Sequence, residues 1–370
     1  MGKKISCLLC VILCVLGCGC DRKEPLATEP ATDAAVTVAT GPAISVTGQT
    51  VLPAGKAEGR ATAFRNSTVP SGAAWDRDLV ADGRYIFYAN ETHIIRLDRV
   101  TKEEKVIAGH KKEGEVSLCL DGKFLYYVDD EDVVYKVGIN GGGKERVITR
   151  SMLKQAGYTL PYIKAVRIHR GVMYIHTNYS AYIIRYFPEK GKTEEVESAV
   201  YQSVFYKDSL YYIDECKRSI YRIDLRSMKK ETVRKDPDRG KEGFIYEDLL
   251  CAGGKLYYLR GDKNQIFCYS EEGKDKPVGE GMEYRDLVAG TDDRLYYRCY
   301  PEDGDYGNRP AYLGVFDGHS HVILSLMPDD VEIPALVVGN VLYYMAAFRD
   351  ENGVSIDMDY YYYKECSWKN

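Results

Sequence analysis

Residues 209–214 read Ser209-Leu210-Tyr211-Tyr212-Ile213-Asp214, an unbroken apolar run holding two adjacent tyrosines. The run is too short for an ordinary helix and has no 3.6-residue period. A strand with one wet face alternates apolar and polar residues, so continuous apolar character predicts a strand buried on both faces. The aromatic pair returns at Phe87-Tyr88, Tyr126-Tyr127, Tyr257-Tyr258, Tyr296-Tyr297 and Tyr343-Tyr344, with Met173-Tyr174 filling the one gap. Taking Tyr174 as a second member, successive second residues lie about 38 to 48 residues apart, a period typical of repeat architectures.

The units share more than the pair. An apolar run and a turn precede it, as in Leu79-Val80-Ala81-Asp82-Gly83, Leu118-Cys119-Leu120-Asp121-Gly122 and Leu249-Leu250-Cys251-Ala252-Gly253. Asp-Gly and Gly-Gly between apolar runs are hairpin signals, because the turn needs positive φ. A polar loop and another strand follow, as in Ile94-Ile95-Arg96-Leu97-Asp98, Ile220-Tyr221-Arg222-Ile223-Asp224 and Gln265-Ile266-Phe267-Cys268-Tyr269. A last short strand closes the unit, such as Lys105-Val106-Ile107 or Glu145-Arg146-Val147-Ile148. Four short antiparallel strands in about 43 residues make a propeller blade. The predicted fold over 71–370 is therefore an all-β propeller of four-stranded antiparallel blades. Seven units predict seven blades, with six as the alternative if the Tyr174 unit or the last one is irregular. The composition agrees: 32 Tyr stand against 9 Phe and 2 Trp, and tyrosine suits half-buried sheet surfaces.

Tyr211-Tyr212-Ile213-Asp214 with Ile220, Arg222 and Asp224, and Tyr126-Tyr127-Val128-Asp129, resemble the Tyr-Trp-Thr-Asp repeat of low-density-lipoprotein-receptor propellers. The whole of 72–370 is similar to a group of bacterial lipoproteins whose propeller domain, related to that repeat, has no known function. The motif is degenerate, with Tyr in place of Trp throughout and no Asp after Tyr258, Tyr297 or Tyr344. In the receptors the repeat is structural and makes six blades, so the resemblance implies a fold and no activity.

Met1 to Cys20 read as an export signal. Lys3 and Lys4 precede an apolar stretch, Ile5 to Leu16, of the length of a signal-peptide core and too short to span a bilayer. Val15-Leu16-Gly17-Cys18 resembles a lipobox, which makes residues 1–17 a lipoprotein signal peptide and Cys18 the acylated first residue of the mature chain. Cys20, preceded by Gly19, is the second candidate. Two acyl chains suffice for stable anchoring to the outer face of a bacterial membrane. Residues 18–70, rich in Ala, Thr and Pro with Phe64 the one aromatic, read as a flexible tether reaching roughly 40 Å. Part of it, Ala35 to Val51, could instead add a strand to the folded domain.

Chemistry is sparsely signalled. The net charge of −5 becomes −7 without residues 1–17, and no basic stripe offers itself to phosphates, so nucleic acid is not an expected partner. Packing at repeated strand positions explains the tyrosines better than sugar stacking. Cys119, Cys216, Cys251, Cys268, Cys299 and Cys366 form an even set that an exported protein could pair. Cys119 and Cys251 read as equivalent positions in different blades, with Val80 in the same place in the first, which favours buried thiols over disulfides. No Cys-x-x-Cys occurs in the mature chain, so no zinc or redox site is predicted. Pro301-Glu302-Asp303-Gly304-Asp305 lacks calcium-loop spacing, and His319 with His321 is an isolated pair beside a turn glycine. No nucleophile elbow, phosphate loop or dinucleotide fingerprint appears. The expectation is a monomeric, membrane-anchored binding or scaffold propeller without cofactor or metal. Its protein or glycan ligand would meet the channel or the longer loops after Ile148, Val233 and Tyr300. The rivals are a glycan-active enzyme with paired channel carboxylates and an envelope-assembly or sensory partner.

Overall fold

A computed structural model describes residues 64–66 and 361–367, and residues 79–346 apart from 83, 91, 112–115, 160, 178–181, 236–244, 280, 291, 293, 303–309 and 329–330. Cys18, Cys20 and the stretch Ala35 to Val51 lie outside the described residues. The described chain is almost wholly strand, with one short helix, Arg150–Gln155.

Five sheets have four antiparallel strands each, spanning 79–109, 118–149, 163–197, 200–235 and 246–277. An eight-stranded sheet holds two further quartets, 282–326 and 331–367, joined by a two-residue parallel contact of Ala289 with Leu336 and Gly290 with Val337. The outermost strand of the last quartet is Phe64–Asn66, which pairs with Tyr361–Ser367 in the register Phe64 to Tyr363 and Asn66 to Tyr361. That strand comes from within the stretch read as tether.

In six quartets the aromatic pair sits on the second strand, as the repeat predicts, and in the third quartet Tyr174 sits there alone. Neighbouring residues on a strand point to opposite faces, so the two members of a pair enter different core clusters. Phe87 packs with Leu118 and Tyr127 of the next sheet, while Tyr88 packs with Leu336 and Tyr343 of the last. The described core divides into seven such clusters, one at each junction between successive quartets, and that last contact returns to the first sheet. Arg99 spans the same junction, donating to the Val338 carbonyl at 2.8 Å.

Register corrects two readings of the sequence. Tyr174 faces Arg185 across the sheet as Phe87 faces Arg96 and Tyr211 faces Arg222. It is thus the first member of its pair, and the second is Ile175, buried towards the preceding sheet. Cys119 pairs with Tyr126, whereas Cys251 pairs with Leu256, one residue short of Tyr257. The two cysteines are offset by one position and face opposite ways, and Leu250 is the counterpart of Cys119.

Several buried tyrosine rings reach a peripheral acceptor that phenylalanine could not use. Tyr88 donates to Glu104 at 2.8 Å, Tyr212 to Glu197 at 2.7 Å and Tyr296 to Asp292 at 2.9 Å. Burial, then the adjacent carboxylate, pushes these phenols well above their usual range. Turns follow local chemistry. Asp82 accepts from the amides of Arg84 and Tyr85, Asp224 from Arg226 and Ser227, and Gly122 takes φ 58.

Polar links cross the junctions as well. Gln202 accepts from the Leu249 amide at 2.8 Å and donates to Asp248, which accepts from the Leu287 amide at 3.0 Å, so three inner strands are joined in series. Arg234 donates to Asp275 and to the Ser270 carbonyl of the following sheet. Burial alone would raise the Asp275 carboxyl; bonds from Arg234, Tyr258 and the Ser270 amide reverse this and hold it below the ordinary carboxylate range.

Two measurements test these contacts. Asp275→Asn leaves the Arg234 guanidinium, 17% exposed, without its counter-charge and should cost about 3 kcal/mol in urea denaturation. Because the folded carboxyl is the stronger acid, wild type keeps this advantage at neutral pH and loses it as pH falls below about 4, so the difference between the two proteins should shrink there. A chain starting at residue 70 should melt lower than one starting at residue 60, because it lacks the strand Phe64–Asn66; equal midpoints would deny that strand a closing role.

Candidate functional site

The first strands of the quartets line a common space. Leu79 to Asp82, Cys119, Leu120, Arg167 to His169, Ser203 to Phe205, Leu250, Cys251, Ala289, Gly290 and Leu336 enclose a cavity of about 660 Å³, with a contribution from every quartet. A volume of this order suits a small molecule or a short peptide segment. The lining is mostly apolar, and its charged members are one cation, Arg167, and one carboxylate, Asp82.

The polar groups are held by the backbone around them. Arg167 donates to the Leu118 carbonyl of the neighbouring sheet at 2.9 Å. His169 shares its strand face, two residues on. Its Nε2 lies 3.1 Å from the Lys207 carbonyl, and its ring stacks on Phe205 at 4.5 Å with an 8° interplanar angle. A carbonyl can only accept, so Nε2 carries the proton and Nδ1 the lone pair. Burial lowers the His169 pKa against the raising effect of that carbonyl, which favours the neutral ring. Asp82 is occupied in its turn with the Arg84 and Tyr85 amides. Burial raises the Cys119 thiol even with Arg167 opposing it, and pushes Cys251 up to about 12, so neither is an activated nucleophile.

A second recess of about 580 Å³ lies between the first two sheets, lined by His110, Lys111, Asp129, Glu131, Tyr135, Lys144 and Arg146. His110 faces the Asn90 carbonyl at 2.7 Å through Nε2, and Lys144 bridges Asp129 and the Gly109 carbonyl. Its charges are largely satisfied among themselves.

The other sequence candidates are dispersed. The loop after Ile148 forms the helix Arg150–Gln155, capped by Thr149 and anchored by buried Leu153. The longer stretches after Val233 and Tyr300 fall mostly on 236–244 and 303–309, outside the described residues, as do Asp303 to Asp305. His319 sits in an exposed turn capped by Asp317, whereas His321 stacks on Tyr297, so the pair forms no site. No disulfide joins any two of the six described cysteines, and Cys119, Cys299 and Cys366 are buried. Among the described residues no three His, Cys, Asp or Glu side chains are placed to hold a metal ion. The cavity itself was not legible as a site, because its members are scattered, mostly ordinary strand residues. Arg167 and His169 were the available signal, as polar residues on a strand whose counterparts elsewhere are largely apolar.

No family model and no curated protein matches the sequence. Solved structures do match. Virginiamycin B lyase from Staphylococcus aureus aligns with a TM-score of 0.52 and 11% identity over 83% of this chain and 99% of its own. YCF48 bound to a D1 peptide aligns at 0.53 and 6% over 83% and 96%. Oligogalacturonate lyase in complex with manganese aligns at 0.53 and 12% over 87% and 96%. At such identities the likeness shows the fold alone, a β-propeller.

The thiol environments make a direct prediction. Cys216 is exposed, so among the described cysteines it should react fastest with a maleimide in the folded protein, while Cys119, Cys299 and Cys366 should react only after denaturation. Peptide mapping reads the order, and rapid labelling of Cys119 would show the cavity wall to be open.

Proposed function

We propose that this chain is a seven-bladed, membrane-anchored propeller of the outer bacterial surface that binds a ligand in its central cavity without transforming it. The observation carrying this reading is the cavity wall, to which all seven first strands contribute and in which apolar side chains surround a single cation and a single carboxylate. Seven core junctions that return to the first sheet support the blade number. Cys18 is the proposed acylation site, on the strength of the Val15-Leu16-Gly17-Cys18 sequence, with Cys20 as its alternative.

The glycan-active alternative draws on an oligogalacturonate lyase among the structural neighbours. Hydrolysis by paired acids needs two carboxyl groups about 5 to 9 Å apart, and the described cavity wall offers Asp82 alone. Similarity to a propeller bound to a peptide keeps an envelope-assembly or sensory role beside small-molecule binding as a form of the same non-catalytic reading.

Glycan-array and pull-down screening, with product analysis for every glycan that binds, separates these functions. Binding without bond cleavage is expected; cleavage that disappears in Asp82→Asn would overturn the proposal. Mass spectrometry of the mature N-terminus should find a diacylglycerol on Cys18. Cys18→Ser should move the protein to the soluble fraction while Cys20→Ser leaves it with the membrane, and the reverse pattern would assign the anchor to Cys20.

A further inference from the structure

We infer that the central cavity takes a small amphipathic anion, an apolar ring-sized body carrying one carboxylate or similar oxyanion, with Arg167 holding the charged end. The inference rests on the binding role proposed above and narrows it to a ligand class.

Size and polarity define the body of the ligand. About 660 Å³ whose wall includes the partly exposed Val80, Leu120, Ile168, Val204 and Phe205 rewards an apolar group that leaves water. Charge defines its other end. Arg167 is the only cation among the described lining residues, so an anion entering the wall gains an attraction there that a neutral or cationic analogue does not. Its bond to the Leu118 carbonyl spans two inner strands and fixes the guanidinium, reducing the conformational freedom lost on binding. A planar guanidinium matches the two oxygens of a carboxylate better than an ammonium would. Asp82, the one carboxylate among the described lining residues, accepts from two amides of its own turn.

His169 adds direction. With Nε2 donating to Lys207 and the ring laid against Phe205, the imidazole is fixed, and Nδ1 has no hydrogen-bond partner among the described residues. That lone pair can accept from an N–H or O–H on the ligand. Arg167 and His169 start two residues apart on one strand, the guanidinium reaching Leu118 of the preceding sheet and the imidazole Lys207 of the following one, so an anionic group and a donor at different ends of one ligand would meet both.

Titration of the full chain, labelled with carbon-13 histidine, tests this with a naphthalene series that differs in charge. The His169 signal is assigned by its absence in His169→Gln. For wild type, 2-naphthoate should shift that signal and bind about tenfold or more tightly than neutral 2-naphthamide, with 2-naphthylmethylammonium weakest. Arg167→Gln should bring naphthoate and naphthamide together, and Arg167→Lys should keep part of the preference. The wild-type series stands alone should either variant fail to fold. Equal binding of naphthoate and naphthamide to wild type would overturn the anion assignment while leaving the cavity a binding site. Absence of any shift at His169 with the whole series would sink this inference, while the glycan and pull-down screens decide the channel-binding role separately.

Discussion

Burial of the aromatic-pair strand on both faces is the constraint from which the rest of the structure follows. Phe87 and Tyr88, or Tyr211 and Tyr212, are each almost wholly buried although they point in opposite directions. No single sheet can satisfy that condition, because a four-stranded sheet alone leaves both faces wet and one packed on a single side leaves the other wet. Each quartet needs a neighbour on either side, and a finite row has two ends. The cluster of Leu79, Tyr88, Leu336 and Tyr343 removes both ends at once by joining the last quartet to the first. The pairing of Phe64–Asn66 with Tyr361–Ser367 ties the two chain regions together with backbone hydrogen bonds at the same place.

Closure also explains where chemistry is permitted. Second strands are committed to packing on both sides, and their tyrosine hydroxyls are spent on peripheral acceptors such as Glu104 and Glu197. Inner strands carry a lighter burden, since one edge of each faces the central space. That freedom is used unevenly. Gln202 and Asp248 link inner strands to one another, while Arg167 and His169 line the cavity. The same strand position holds Val80, Cys119, Arg167, Val204, Leu250, Val288 and Leu336 around the ring. A single charged residue among six uncharged ones is a local departure from a repeating scaffold, and such departures are where a repeated fold acquires specificity.

Much of the architecture was legible in the sequence because it is periodic. The tyrosine pairs mark second strands, Asp-Gly marks the turn before them, and Asp98 and Asp224 end third strands by capping the next turn. Legibility failed where one residue carried the decision. Tyr174 stands alone beside Met173 and Ile175, so sequence could not say which neighbour completes its pair; cross-strand register with Arg185 chose Ile175. Cys119 and Cys251 look alike when turns are aligned by eye, but a one-residue shift reverses the face of a strand residue.

What the sequence alone determined is the kind of element and its repetition, because hydrophobic pattern and turn chemistry act over a few neighbouring residues. The number of strands in each quartet, the place of the aromatic pair within it and the buried character of the tyrosines all follow from that local information. Only the tertiary structure decided that the inner strands converge on one cavity and that Arg167 is the one cation among its described lining residues. It also brought His169 against Phe205, 36 residues away in the sequence. These contacts depend on how far each quartet is turned about a common axis, a quantity set by the packing of all the quartets together and written in no single repeat.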